Sequence, residues 1–191
     1  FDRAHDFVLA IDGRENSRLV VQERYEVLRA MFYHETHDQD AYLDPPDADS
    51  PVFKDIRLML QTATPLLTGN WQASAETYET GLLTYGNANP RAADFNSLAD
   101  FIFAGDYVEL KLPWQLLNFA DPSRMAVHED YYVHYGGETI DGLWLGLTDG
   151  EDEGRTVLAQ APLKGWGNRV AYHERRKASY YALQRLWAGN D

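Results

Sequence analysis

Apolar and polar positions alternate along much of this chain, most clearly from Asp106 to Asp121, DYVELKLPWQLLNFAD. Val108, Leu110 and Leu112 alternate with Glu109 and Lys111, a period of two that predicts a strand with one buried face. Pro113 has no N–H to donate and ends the ladder. Trp114, Leu116, Leu117 and Phe119 then crowd one short turn before Asp121-Pro122-Ser123, with Trp114 expected to seal the core. The preceding residues complete a hairpin over 97–114: Phe101 and Phe103 lead into the turn Ala104-Gly105-Asp106, and the marked strand returns from it.

Further strands are predicted on both sides. DFVLAID (6–12) runs into the turn signal Asp12-Gly13. Residues 52–64 place Val52, Ile56, Leu58 and Leu60 on shared faces, and 77–90 ends at Gly86-Asn87 and Asn89-Pro90. Residues 139–150 carry Ile140, Leu143, Leu145 and Leu147, and 155–163 reads as another strand. The segment 17–35 is mixed: Leu19, Val20 and Val21 favour a strand, whereas Tyr25, Leu28, Met31 and Phe32 recur at helical spacing. Residues 36–51 and 121–139 read as loops, and 172–187 as a helix stopped at Gly189-Asn190. Short strands with turn chemistry between them predict a mainly β fold, an antiparallel β-sandwich of jelly-roll type. The sandwich is assigned to residues 1–170, with a short helix in its N-terminal third, and residues 171–191 form a C-terminal helix packed on it.

The 191 residues carry a net charge of −13, which argues against partners held by clustered Lys and Arg, such as nucleic acid or anionic membrane. No apolar run is long enough to span a bilayer. With no cysteine, disulfides, thiolate metal sites and a cysteine nucleophile are excluded. The 12 Tyr, 8 Phe and 5 Trp favour β-structure and flat contact surfaces. The opening Phe1-Asp2-Arg3 leads at once into a strand, so the chain reads as a piece of a longer polypeptide whose first sandwich strands precede it.

Three groups of residues are candidates for chemistry. His34, Glu35, His37, Asp38 and Asp40 have a spacing that can chelate a metal, against the simpler reading of a polar surface. Asp121, Glu129 and Asp130, with His128, give one loop the oxygen-rich character of a calcium site, against turn capping and exposure. Tyr132, Tyr135, Trp144 and Trp166, with Tyr131, can form a platform on which the C–H face of a sugar ring stacks while nearby carboxylates take its hydroxyls. Core packing is the ordinary fate of any one of these tryptophans. The sequence contains no G-x-S-x-G, phosphate-binding loop or dinucleotide fingerprint, and no carboxylate pair stands out for glycoside hydrolysis.

The segments FDRAHDFVLAIDGRENSRLVVQ, YETGLLTYGNANP, DFNSLADF and LPWQLLNFADPSRM resemble the C-terminal β-sandwich region of large bacterial glycosidase-like proteins. That region is similar to family-9-type carbohydrate-binding modules and follows a glycosidase-type (β/α)8 barrel. WGNRVAYHERRKASYYALQRLW is similar to the closing helix of such chains. The resemblance implies an ancillary, non-catalytic carbohydrate-binding domain of a glycoside-processing protein, with a polysaccharide or oligosaccharide ligand. It also implies an upstream catalytic domain in the same polypeptide, a structural calcium ion, and an extracellular or cell-envelope location. The alternative is a structural sandwich that packs against the upstream barrel and binds no sugar itself. The two clamping tryptophans of the modules have no assigned counterparts among Trp71, Trp144 and Trp166.

Overall fold

A computed structural model describes residues 5–26, 45–65, 72–128, 130–132, 137–148, 157–167 and 178–189. The described residues are mainly β, with antiparallel pairing in every named sheet and one α-helix near the C-terminus. β1 (Phe7–Ala10), β2 (Arg18–Gln22) and β3 (Phe53–Asp55) form one three-stranded sheet with β2 central. β4 (Arg57–Gln61) pairs with β7 (Glu76–Glu79), and the short β5 (Thr64–Pro65) with β6 (Gln72–Ala73). β8 (Phe101–Ala104) and β9 (Tyr107–Leu110) form a hairpin. β10 (Phe119–Asp121), β11 (Ala126–His128) and β12 (Gly137–Thr139) make the second three-stranded sheet. β13 (Gly142–Leu147) pairs along its length with β14 (Val157–Pro162), and α1 spans Ala178–Ala188.

The core gathers around β2. Leu19, Leu83, Phe101 and Leu116 are buried together, with Phe7, Leu9, Ile56, Tyr85, Leu112 and Leu117 packed against them. The 81–83 segment lies along β2: the Leu19 N–H donates to the Gly81 carbonyl at 2.8 Å, and the Leu83 N–H to the Ser17 carbonyl at 2.9 Å. Ser17 is fully buried and locks the preceding turn, donating its hydroxyl to the Gly13 carbonyl at 2.6 Å and accepting the Asp12 N–H at 2.9 Å. Gly81 is a requirement of this approach, because a Cβ there would be driven into the Leu19 carbonyl oxygen. Gly81→Ala is expected to lower stability by about 1–2 kcal/mol, read as a drop in the urea midpoint without a change in slope.

The predicted hairpin forms with its turn where the sequence places it. Gly105 takes φ +63°. Asp106 does not share the positive φ, which is the II′ pattern with glycine at the first central position. The expected buried face of the return strand does not form: all four residues of β9 are exposed, and only Leu112 beyond it reaches the core. A two-stranded ribbon has no second layer to cover it, so alternation alone gives no burial.

Two other expectations are corrected. Residues 52–64 do not form one strand. The Ile56 carbonyl accepts the N–H groups of Thr80 and Gly81, and this break separates β3 from β4 and resets the facing of the side chains. In β4 Met59 is the half-buried residue, and Leu58 and Leu60 are exposed. The 121–139 loop contains a 3-10 turn at Pro122–Arg124 and the strands β11 and β12. Near the N-terminal third the described residues contain a 3-10 turn, Glu23–Tyr25, and the expected short helix falls beyond it. Leu28, Met31 and Phe32 lie outside the described residues. The C-terminal helix forms, and its residues from Ser179 to Ala188 are exposed.

Candidate functional site

A cleft of about 380 Å³ opens between the two three-stranded sheets. Phe7 of β1 and Tyr25 of the first 3-10 turn line one wall. Phe119 of β10, Val127 of β11 and Glu138 of β12 line the other, with Ile140 and Leu143 closing one end. Leu117, Asn118, His128, Asp6 and Asp130 complete the lining. The apolar side chains come from strand positions that face the interior. The carboxylates come from the residue before β1 (Asp6), the middle of β12 (Glu138) and the segment after β11 (Asp130).

Asn118 sits at the junction of the two halves. It follows the 3-10 turn Trp114–Leu117 in the left-handed conformation, φ 56°, which turns the chain into β10. Asparagine tolerates that region better than most residues. Its carbonyl accepts the His128 N–H at 2.8 Å, and its Nδ2 donates to the Tyr25 carbonyl at 3.4 Å.

Arg24 fixes the other side. Its Nε donates to Asp130 Oδ2 at 2.6 Å, its Nη1 donates to the Pro46 carbonyl, and its guanidinium lies 5.7 Å from the centre of the Tyr132 ring. Asp130 Oδ1 accepts the Tyr132 N–H at 3.0 Å. Both oxygens of Asp130 are therefore engaged within the fold. Gln22, 1% exposed, donates Nε2 to the Ala48 carbonyl at 2.9 Å and to that of Asp47 at 3.3 Å, tying the 45–50 segment to β2.

Asp6 and Glu138 differ from Asp130: among the described residues neither forms an ion pair. Asp6 is exposed by area at the rim, yet the cleft walls crowd its carboxyl. That desolvation raises its pKa above the usual aspartate value, while His5 pulls it down. The Tyr25 phenol is raised by burial first and then by the charges of Asp6 and Asp130, with Arg24 opposing. Tyr25 thus stays protonated at neutral pH, able to donate and accept.

The raised Asp6 fixes a pH dependence. Between the ordinary aspartate value and its raised one, the folded chain holds a proton that the unfolded chain has lost. Stability contributed at this position therefore falls as pH rises through that window. Asp6→Asn is expected to remove this falling component, seen as a flatter stability–pH curve above the ordinary aspartate range. A carboxyl-carbon NMR titration placing the Asp6 midpoint at or below the ordinary value would contradict it.

Sequence-predicted residues fall in several places. Asp130 lines the cleft, and Tyr132 lies beside it under Arg24. Asp121 caps the 3-10 turn that follows it: Oδ1 accepts the Ser123 N–H at 3.0 Å and the Ser123 hydroxyl at 2.6 Å. Glu129 and Tyr135 lie outside the described residues, as do His34, Glu35, His37, Asp38, Asp40 and Trp71. Among the described residues no three His, Asp or Glu side chains are grouped to hold a metal ion.

Trp166 lies 6.5 Å from Trp114, which makes an edge contact with the cleft residue Phe119 at 4.7 Å. Trp166 remains 54% exposed, and Trp114 is half-buried in that aromatic run. Trp144 stands on β13, 62% exposed and away from the cleft lining. Asp6, Tyr25, Asn118 and Glu138 were not singled out from sequence. They come together only because β1 and the 3-10 turn after β2 lie against β10–β12, a pairing with no local signature.

The chain matches no family model, and comparison with curated proteins and with solved structures finds no similar protein.

Proposed function

We propose that this chain is an ancillary carbohydrate-binding β domain, of the sandwich type its sequence resembles, belonging to a larger bacterial glycoside-processing protein. The observation that carries the reading is the cleft: two carboxylates without an ion pair among the described residues and a protonated tyrosine hydroxyl stand beside the half-buried apolar surfaces of Phe7, Val127 and Ile140. A sugar ring presents the complementary pair of surfaces, C–H groups on its faces and hydroxyls at its edge. The volume suits one or two pyranose rings. In this reading Asp6, Tyr25 and Glu138 hold hydroxyls, Phe7, Val127 and Ile140 support the ring, and Asp130 and Tyr132 position the wall with Arg24. Trp166, through Trp114, extends the aromatic surface beyond the cleft. A structural calcium ion accompanies the proposal and is read out by the change in melting temperature between calcium and chelator.

Isothermal titration with a panel of neutral and charged oligosaccharides tests the reading. Saturable binding that weakens several-fold in Tyr25→Phe, which removes only the cleft hydroxyl, supports it. A folded chain that binds no member of the panel, with and without calcium, sinks it.

The second reading, a structural domain that packs on an upstream barrel, is favoured by one observation. Leu98, Leu147 and Trp187 are 75%, 78% and 70% exposed, and Leu58, Leu60, Tyr78 and Trp144 are also largely uncovered. Leu58 and Tyr78 oppose each other across the β4–β7 pair, an exposed apolar face of the kind an interface would cover. It predicts that Trp144→Ala leaves sugar affinity unchanged and lowers self-association in light scattering.

A further inference from the structure

Charge in the cleft carries the carbohydrate reading one step further, to the kind of sugar. The Arg24 guanidinium is not part of the lining and is held by Asp130, the Pro46 carbonyl and the Tyr132 ring. Asp6 and Glu138 are left at the rim with no ion pair among the described residues, one on each wall. No lysine or arginine lines the space between them. His5 partly offsets the Asp6 charge and His128 stands in the lining, but a neutral sugar adds no compensation of its own as it displaces water from around the two carboxylates. An ammonium group would compensate them and donate three hydrogen bonds to the two carboxylates.

We propose that the cleft takes an amino sugar: a hexosamine unit with a free ammonium group, placed between Asp6 and Glu138, its ring over the half-buried Phe7, Val127 and Ile140. The proposal rests on the carbohydrate-binding reading above and names the ligand class of the same cleft. The cation is seated by two carboxylates and the ring by the apolar wall, so both features are required in one molecule. A free polycation lacks the ring, and a neutral oligosaccharide lacks the charge.

The test is a titration of the full chain with three trisaccharides of one backbone geometry: the glucosamine trimer, its fully N-acetylated form, and the glucose trimer. Trilysine serves as a cation without a ring. The glucosamine trimer is expected to bind about tenfold more tightly than either neutral trimer and more tightly than trilysine. The preference is expected to shrink in about 0.5 M salt, which screens charges at the rim. In the double variant Asp6→Asn/Glu138→Gln the ratio of glucosamine-trimer to neutral-trimer affinity is expected to fall below threefold, whatever the loss of hydroxyl contacts common to all three trimers. Both positions are exposed, and unchanged circular dichroism confirms that the variant folds.

Equal binding of all three trimers overturns the amino-sugar proposal and leaves the carbohydrate reading standing. Trilysine binding as tightly as the glucosamine trimer overturns it as general attraction to an acidic chain. Failure of every trimer to bind removes the carbohydrate reading itself.

Discussion

Phe101→Ala is expected to lower the unfolding free energy by about 3–5 kcal/mol, the largest effect of any single truncation described here. Phe101 is 2% exposed and belongs to the cluster of Leu19, Leu83 and Leu116. Its ring meets Tyr85 edge-on at 5.4 Å and Phe103 edge-on at 5.7 Å. It also anchors three backbone pairings at once. Its carbonyl accepts the Gly86 N–H at 2.9 Å, it bridges to Tyr85, and it opposes Leu110 across the hairpin. Truncation removes the ring's transfer free energy and leaves a cavity among residues pinned by these bonds, so little collapse can relieve it. Chemical denaturation followed by tryptophan fluorescence reads the loss. A change under about 1 kcal/mol would show that the cluster around β2 is not the stability core.

Arg24→Met is expected to cost about 2–3 kcal/mol and to weaken sugar binding as well. The Arg24 and Asp130 side chains are 14% and 17% exposed, and they join segments 106 residues apart in sequence. Removing the guanidinium strands the Asp130 carboxylate in a half-buried wall and frees the Pro46 carbonyl of its donor. Methionine keeps most of the stem's apolar packing, so the measured loss reports the polar contacts. The double variant Arg24→Met/Asp130→Leu is expected to recover much of the stability, because neither charge is then left uncompensated. It is not expected to recover the sugar affinity, since the wall that Asp130 and Tyr132 build is changed. Urea denaturation and titration on the same variants separate the two effects.

How much of this was legible in sequence depends on the range of the interactions. The hairpin at 101–110 was readable because its signal is local: alternating residues around a glycine-bearing turn. β1, β13, β14 and the C-terminal helix were readable for the same reason. The facing of β4 was not, because a backbone bond from Thr80 to the Ile56 carbonyl interrupts the period, and nothing in VFKDIRLML announces it. The strands β11 and β12 were hidden in a stretch whose His, Asp and Glu residues resemble a loop. They are strands because β10 supplies the ladder. Of the sequence candidates, His128 and Asp130 line the cleft. The opposite wall was missed, since Asp6 and Tyr25 reach Glu138 only through tertiary packing.

The claim that the cleft between the two three-stranded sheets is the sugar site is tested most directly by amide chemical-shift mapping. Backbone resonances of the full chain are followed while the glucosamine trimer is added to saturation. The account predicts that the shifts concentrate at Asp6, Phe7, Asn118, Phe119, Glu138 and Ile140, and that they leave Trp144 and α1 unmoved. Shifts centred on β13, β14 and α1, with the cleft residues unchanged at saturation, would contradict it.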